Sequence, residues 1–251
     1  MTKEIAVQES KAMTYSDYGN EYTGDAEIEA KDLIIPKFLV MQGLSQAVSD
    51  GKAVLGEIRD SLENKLFGGK DKTFEFIPLH HYKTWIVFTE EKGKLEYTAQ
   101  VPYTAENADW EWNTTIDGKK VRRDQAINIY AILPNEIKDG IFMPYLISYR
   151  RTSYSAGKQM LTNLQKMKLA NRPWFTKTFK LGSKQEKNDQ GSYYVYTNEM
   201  GRDTKPEEIE AIKPWLLMLK SQAVKVDDSD LETERVQTTH IVQGTDDEMP
   251  F

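Results

Sequence analysis

The spacing of apolar residues along the chain predicts a β-rich domain interrupted by two helices. Aromatic and β-branched residues concentrate in KTFEFIPLHHYKTWIVFTE (72–90), which is typical of two strands joined as a hairpin. Further strands are predicted at 94–101, 127–133, 143–149, 174–181 and 192–198. Before them, residues 33–58 carry short apolar runs separated by glycines, which indicates short strands joined by loops. Short strands at this spacing favour a barrel or a sandwich.

Two segments have helical rather than alternating spacing. In SAGKQMLTNLQKMKLANRP (155–173) the apolar residues repeat at helical intervals, and Pro173 ends the run. The predicted apolar face of this helix consists of Met160, Leu161, Leu164, Met167 and Leu169. The second segment, TKPEEIEAIKPWLLMLKSQ (204–222), has Pro206 and glutamates at its start, as helix N-termini prefer. Pro214 is expected to kink or restart this helix.

Both ends of the chain are acidic and show no apolar period. Residues 1–32 carry a net charge of −5 and residues 226–251 a net charge of −7. Because the net charge of the whole chain is −6, residues 33–225 have a net charge of +6. We expect a flexible acidic arm at 1–32, an ordered domain at 33–225 and a disordered acidic tail at 226–251. Because binding depends on local potential, the basic domain favours a polyanionic partner despite the acidic total.

The composition argues against catalysis. The chain has no cysteine and three histidines, which excludes thiol nucleophiles and zinc–thiolate sites and indicates a reducing, cytoplasmic setting. Phosphate-binding loops, nucleophile elbows and metalloprotease motifs do not occur. The adjacent His80 and His81 would face opposite sides of a strand, so they are not expected to share a metal. No enzyme activity, metal, cofactor or membrane-spanning segment is therefore expected.

The segment most suggestive of function is free of acidic residues. Residues 141–185 contain nine basic residues, and aromatic residues are interleaved with them at Tyr145, Tyr149, Tyr154, Trp174, Phe175 and Phe179. Cations suit phosphates and flat aromatic faces suit bases, so this combination is typical of single-stranded nucleic-acid binding. If the strand predicted at 143–149 continues to residue 151, the side chains of Tyr149 and Arg151 should point to one side of the sheet and that of Arg150 to the other. The candidate nucleic-acid-binding residues are Lys83, Trp85, Tyr149, Arg150, Arg151, Tyr154, Lys158, Lys166, Lys168, Arg172, Trp174 and Lys177.

The last six residues, DDEMPF, combine an acidic run with a proline and a terminal phenylalanine. This ending resembles the C-termini of bacterial and phage single-stranded DNA-binding proteins, in which the tip is a handle for other replication and repair proteins. It departs from the family pattern at Glu248 and Met249. The resemblance implies a partner-binding role for Asp246, Asp247, Glu248, Pro250 and Phe251.

The ordered domain resembles phage-encoded single-stranded DNA-binding proteins in the style and order of its segments. IPKFLVMQGLSQAVSDGKAVLGEI, the acid-free helix and GSYYVYTNEM carry this likeness over roughly residues 33–220. It implies a mixed, β-rich α+β fold: an antiparallel oligonucleotide-binding (OB) barrel with inserted helices and a C-terminal helix. The expected function is sequence-tolerant coating of single strands in phage replication or recombination. The alternatives are a strand-annealing protein and a metal-dependent nuclease using acidic pairs such as Glu90 and Glu91.

Overall fold

One mixed β-sheet of ten strands organises the chain. The structure is a computed structural model that describes residues 34–138, 140, 142–189 and 191–221. The predicted arm at 1–32 and tail at 226–251 lie outside these residues. The strands are β1 (Lys37–Val40), β2 (Ile58–Asp60), β3 (Leu66–Gly68), β4 (Phe74–Glu91), β5 (Lys94–Pro102), β6 (Asn113–Ile116), β7 (Lys119–Ile132), β8 (Tyr145–Arg150), β9 (Lys177–Asn188) and β10 (Gly191–Asp203).

The sheet is not closed into a barrel. Its main path runs β10-β9-β4-β7-β8-β1-β2-β3, with β5 added beside β4 and β6 beside β7. The pairing is antiparallel except between β1 and β8. The sheet curves so that the two ends of this path approach each other. The backbone N–H of Ser183 in β9 donates to the carbonyl of Gly69, the residue after β3, at 3.2 Å. No ladder between described residues joins these ends. The β-rich α+β class is therefore confirmed, whereas an OB barrel is not.

Strand β4 replaces the hairpin predicted at 72–90. It is a single strand of 18 residues, and its hairpin partner is β5. One edge of β4 pairs first with β9 and then with β5, while the other edge pairs with β7 from Ile77 to Thr89. The register shifts between Pro78 and His80, so a bulge accommodates Pro78 within the strand. The hairpin prediction was wrong because this segment contains no tight-turn dipeptide.

Two long helices cover opposite faces of the sheet. The helices are α1 (Gln46–Ser49), α2 (Pro134–Ile137), α3 (Tyr154–Leu169) and α4 (Pro206–Ser221), and α4 runs through Pro214 within one helix. Helix α3 buries Met160, Leu164 and Met167 in a core shared with Ile127 and Ile129 of β7. Helix α4 packs on the other face, where Ile132 of the same strand is buried. This alternation along β7 gives three layers, helix, sheet and helix.

Helix α4 is fixed to the sheet by Arg202 of β10. The guanidinium contacts Glu75 of β4 at 3.1 Å and Glu208 of α4 at 2.6 Å. Burial alone would raise the pKa of the Glu208 carboxyl, but hydrogen bonds from Arg202 and from the Lys205 backbone N–H hold that pKa below its usual range. The ion pair therefore persists at neutral pH.

Candidate nucleic-acid interface

A cluster of aromatic side chains lies beside Tyr154, the first residue of α3, and Trp85 is at its centre. Trp85 is fully buried. Its ring centroid lies 6.0 Å from that of Tyr103, 6.1 Å from that of Trp110 and 6.3 Å from that of Trp112. The three neighbours belong to the segment between β5 and β6, so one buried ring from β4 positions a more exposed aromatic loop.

The aromatic loop (Tyr103–Trp112) is fixed by hydrogen bonds at its base. The Trp85 indole N–H donates to the Asn107 carbonyl at 3.1 Å. The Asn107 side chain accepts from the Thr104 backbone N–H at 2.8 Å and donates to the Pro102 carbonyl at 2.8 Å. Asn107 is itself buried. The loop therefore presents its rings in one arrangement before any ligand arrives, which limits the entropy lost on binding.

Cations lie over several of these rings. Lys83 Nζ is 5.4 Å from the Tyr103 ring centroid, and the Arg123 guanidinium is 4.5 Å from that of Trp110. On the helix side, Lys158 Nζ is 5.2 Å from the ring of Tyr154. Each pair brings a positive charge together with a flat face, which are the two groups that a nucleotide needs.

Tyr154 joins the helix to the aromatic loop. Its ring lies edge-on to that of Trp112 at 6.4 Å, and its hydroxyl donates to Gln125 of β7. Burial and the nearby Tyr103 raise the pKa of the Tyr154 hydroxyl, so this group remains a neutral donor at physiological pH. We call the resulting surface the aromatic groove; it consists of Lys83, Tyr103, Trp110, Trp112, Tyr154 and Lys158, with the buried Arg123 beneath Trp110.

An open cavity of about 550 Å³ lies next to the groove along α3. Its lining includes Lys83, Lys166 and Trp174. Trp174 meets the His81 ring edge-on at a centroid distance of 4.8 Å. Burial, His80 and Lys83 all lower the pKa of His81, so its imidazole is neutral at pH 7. The cavity and the groove share Lys83 and form one surface.

Two of the predicted binding residues, Tyr149 and Trp85, have no accessible face. Tyr149 is fully buried beneath α3, and its hydroxyl donates to Asn198 of β10. Burial raises the pKa of this hydroxyl well above its usual value. Trp85 acts through the loop that it supports. In the arrangement described, neither ring can stack on a base, and both belong to the scaffold.

Arg150 and Arg151 lie on the other face of the sheet. Arg151 was expected on the side of Tyr149, and this was wrong because β8 ends at Arg150 and Arg151 adopts a φ of 48°. Its Nε donates to the carboxylate of Asp124, and Arg122 also reaches that carboxylate, at 3.3 Å. Both guanidiniums lie near the Phe88 ring. Arg122 and Arg151 therefore contact the buried carboxylate of Asp124, away from the groove.

The remaining predicted cations divide into two groups. Arg172 and Lys177 both pair with Asp203 of β10, at 2.7 and 3.2 Å, and these hydrogen bonds lower the pKa of that carboxyl. Acidic residues from elsewhere in the chain thus compensate part of the acid-free run. Lys158, Lys166 and Lys168 of α3 are exposed, and none forms an ion pair with the described residues.

Sequence reasoning missed Tyr103, Arg123 and the role of the loop. No pattern in the sequence linked Trp110 and Trp112 to α3. The signal was the high local density of aromatic residues between 103 and 112. The candidate tail residues Asp246, Asp247, Glu248, Pro250 and Phe251 lie outside the described residues.

Within the described ranges, no three His, Asp or Glu side chains are grouped as metal ligands. None of the helices in these ranges has the length and apolar character needed to span a bilayer.

Comparison with known proteins gives a family for this chain. No curated protein and no solved structure matches it. The match to a family extends over residues 2–225, which include the whole sheet, α3, α4 and the aromatic groove. The chain therefore belongs to the Pam3 phage gp34-like protein family, a family of phage proteins.

Proposed function

We propose that this phage protein binds single-stranded DNA, without strong sequence preference, through the aromatic groove. The observation that carries the proposal is the exposed ring of Trp112, 39% accessible, in a cluster of rings accompanied by the cations Lys83 and Lys158. Stacking on such rings is sequence-tolerant because every base has a π-face. The cations would neutralise phosphates and release counterions.

The rings favour single strands over duplexes. A base can stack on Trp112 or Tyr154 only if it is unstacked from its own neighbours, which a duplex does not allow without unpairing. The loop that carries Trp112 is fixed by Trp85 and Asn107, so the rings need little ordering on binding. Binding involves no bond making, and the proposal assigns no catalytic residue.

The biological role that we propose is protection of exposed strands during phage replication or recombination. Membership of a phage family supports this setting. The acidic C-terminal tip would recruit other replication proteins, with Pro250 and Phe251 as the apolar anchor. The carboxylates of residues 226–251 would compete with DNA for the groove, because a tethered polyanion has a high effective concentration there.

The test is a fluorescence titration with oligo-dT and with duplex DNA at several salt concentrations. Trp112→Ala should weaken oligo-dT binding by about 1–3 kcal/mol, the contribution of one stacked base. Lys158→Ala should make the slope of log affinity against log salt shallower by about 0.7. Tyr193→Ala is a matched control, since this partly exposed tyrosine of β10 lies outside the groove and the core clusters.

Two outcomes would contradict the proposal. One is an oligo-dT affinity that Trp112→Ala leaves unchanged or that Tyr193→Ala reduces equally. The other is a comparable affinity for single strands and for duplexes of the same length at moderate salt, which would indicate purely electrostatic attraction.

A further inference from the structure

The open cavity beside Trp174 is large enough for a small ligand. Strand β4 supplies His81 and Lys83 on one side, and α3 supplies Leu161, Gln165 and Lys166 on the other. Its volume of about 550 Å³ falls in the range of about 300–1,000 Å³ that is usual for sites of small organic ligands. The cavity combines an aromatic wall, apolar helix side chains and cations, as recognition of a nucleotide requires.

Several polar groups at the cavity have no partner among the residues that the structure describes. Gln165 is exposed and forms no hydrogen bond with the described residues. Lys166 forms no ion pair with them. The Nδ1 atom of His81 is buried and has no hydrogen-bond partner within the described ranges. In contrast, the Thr162 hydroxyl donates to the Lys158 carbonyl at 2.9 Å. Gln165 is therefore the side chain most available to a ligand.

The cavity is continuous with the proposed path of DNA. Lys83 lines the cavity while its Nζ lies over the Tyr103 ring of the groove. A strand bound along the groove would therefore pass Lys83 and reach the cavity mouth. Lys166, on the opposite wall, would be available to a phosphate of that strand.

We infer that the cavity accepts one unstacked nucleobase of the bound strand and that Gln165 reads its edge. This inference rests on the proposed function. A carboxamide both donates and accepts, and the four bases differ in the donors and acceptors along their edges. The protein is thus tolerant of sequence along the groove but selective at one nucleotide.

The experiment compares Gln165→Leu with Gln159→Leu. Both glutamines are exposed on α3, but Gln159 lies beside β10, on the other side of the helix. Each variant is titrated with dT, dC and dA homopolymers of equal length, after thermal unfolding has shown that it folds as the wild type does. Gln165→Leu should change the ratio of affinities between homopolymers by about fivefold or more, and Gln159→Leu should leave that ratio unchanged.

The outcomes separate this inference from the proposed function. Unchanged ratios in Gln165→Leu, in a protein whose oligo-dT binding Trp112→Ala still weakens, would overturn base reading and leave the groove intact. Equal changes in both glutamine variants would also overturn it. If the wild type does not bind single strands at all, the proposed function itself fails.

Discussion

The contact between α3 and the sheet can be tested at Gly157, a buried residue of the helix. A Cβ added there would lie 2.6 Å from Cβ and 3.0 Å from Cγ of Tyr149, and 3.1 Å from Cδ1 of Ile127. The closest atom is attached directly to the backbone of β8, so it cannot rotate away. The Tyr149 ring is further held by its hydrogen bond to Asn198. The helix must therefore move away from the sheet to admit a methyl group.

Two opposing effects determine how much Gly157→Ala changes the free energy of unfolding. Alanine gains about 1 kcal/mol of helix propensity over glycine. Overpacking of a core costs about 1–3 kcal/mol, and the fixed position of the Tyr149 Cβ favours the upper part of that range. We expect a net loss of about 1–2 kcal/mol in the free energy of unfolding. Because α3 forms one wall of the groove, affinity for oligo-dT should also fall.

The assay is urea unfolding of Gly157→Ala beside Gly43→Ala. An added Cβ at Gly43 meets no atom within 4 Å and its φ is not in the left-handed region, so this control should be neutral or stabilising by up to about 1 kcal/mol. A Gly157→Ala variant as stable as the wild type would refute the tight contact between α3 and β8.

Three further predictions concern the loop, the C-terminal helix and the tail. Trp85→Phe removes the indole N–H that donates to the Asn107 carbonyl and leaves that buried carbonyl without this donor. The substitution should lower the free energy of unfolding in urea by about 1–3 kcal/mol. Burial opposes ionisation of Glu208, but the hydrogen bonds from Arg202 outweigh it and lower the pKa of the Glu208 carboxyl. The ion pair between Glu208 and Arg202 therefore stabilises the fold above the unfolded pKa of about 4.3, and this stabilisation is lost as pH falls through the lower folded pKa. Glu208→Gln should therefore be less stable at neutral pH and lose less stability on acidification, as measured by thermal unfolding from pH 7 to acid. Deletion of Phe251 should abolish capture of replication proteins from phage-infected lysate while leaving oligo-dT affinity unchanged, and an unchanged set of captured proteins would contradict the proposed handle.

Much of the secondary structure could be predicted because it is encoded locally. The helix predicted from residue 155 begins at Tyr154 and ends at Leu169, and its predicted apolar residues pack in the core except Leu169, which is 75% exposed. Hairpin β6–β7 was missed although Asp117–Gly118 is a strong turn signal, with both residues at positive φ. Its first strand is only four residues long and mostly exposed, so the apolar pattern there is weak.

The candidate site was less predictable because it depends on contacts between distant segments. The acid-free run suggested a continuous basic surface, yet Asp203 pairs with Arg172, 31 residues earlier. Local sequence carries no sign of such a pair. The sequence also does not indicate which aromatic side chains are exposed. Trp85 and Trp112 are the same residue type, but Trp85 is buried and Trp112 is exposed.

Ion pairing, rather than the density of basic residues, distinguishes the two faces of the sheet. Arg151 and Lys158 are seven positions apart in the acid-free run, yet Arg151 contacts the buried Asp124 whereas Lys158 is exposed beside an aromatic ring. Removing Arg151 would take a partner from a buried carboxylate, which destabilises the fold. Removing Lys158 would take charge from the groove and leave the core unchanged. A loss of DNA affinity therefore reports on the interface only where the cation has no acidic partner within the protein, and Lys158 and Lys166 meet that condition among the described residues.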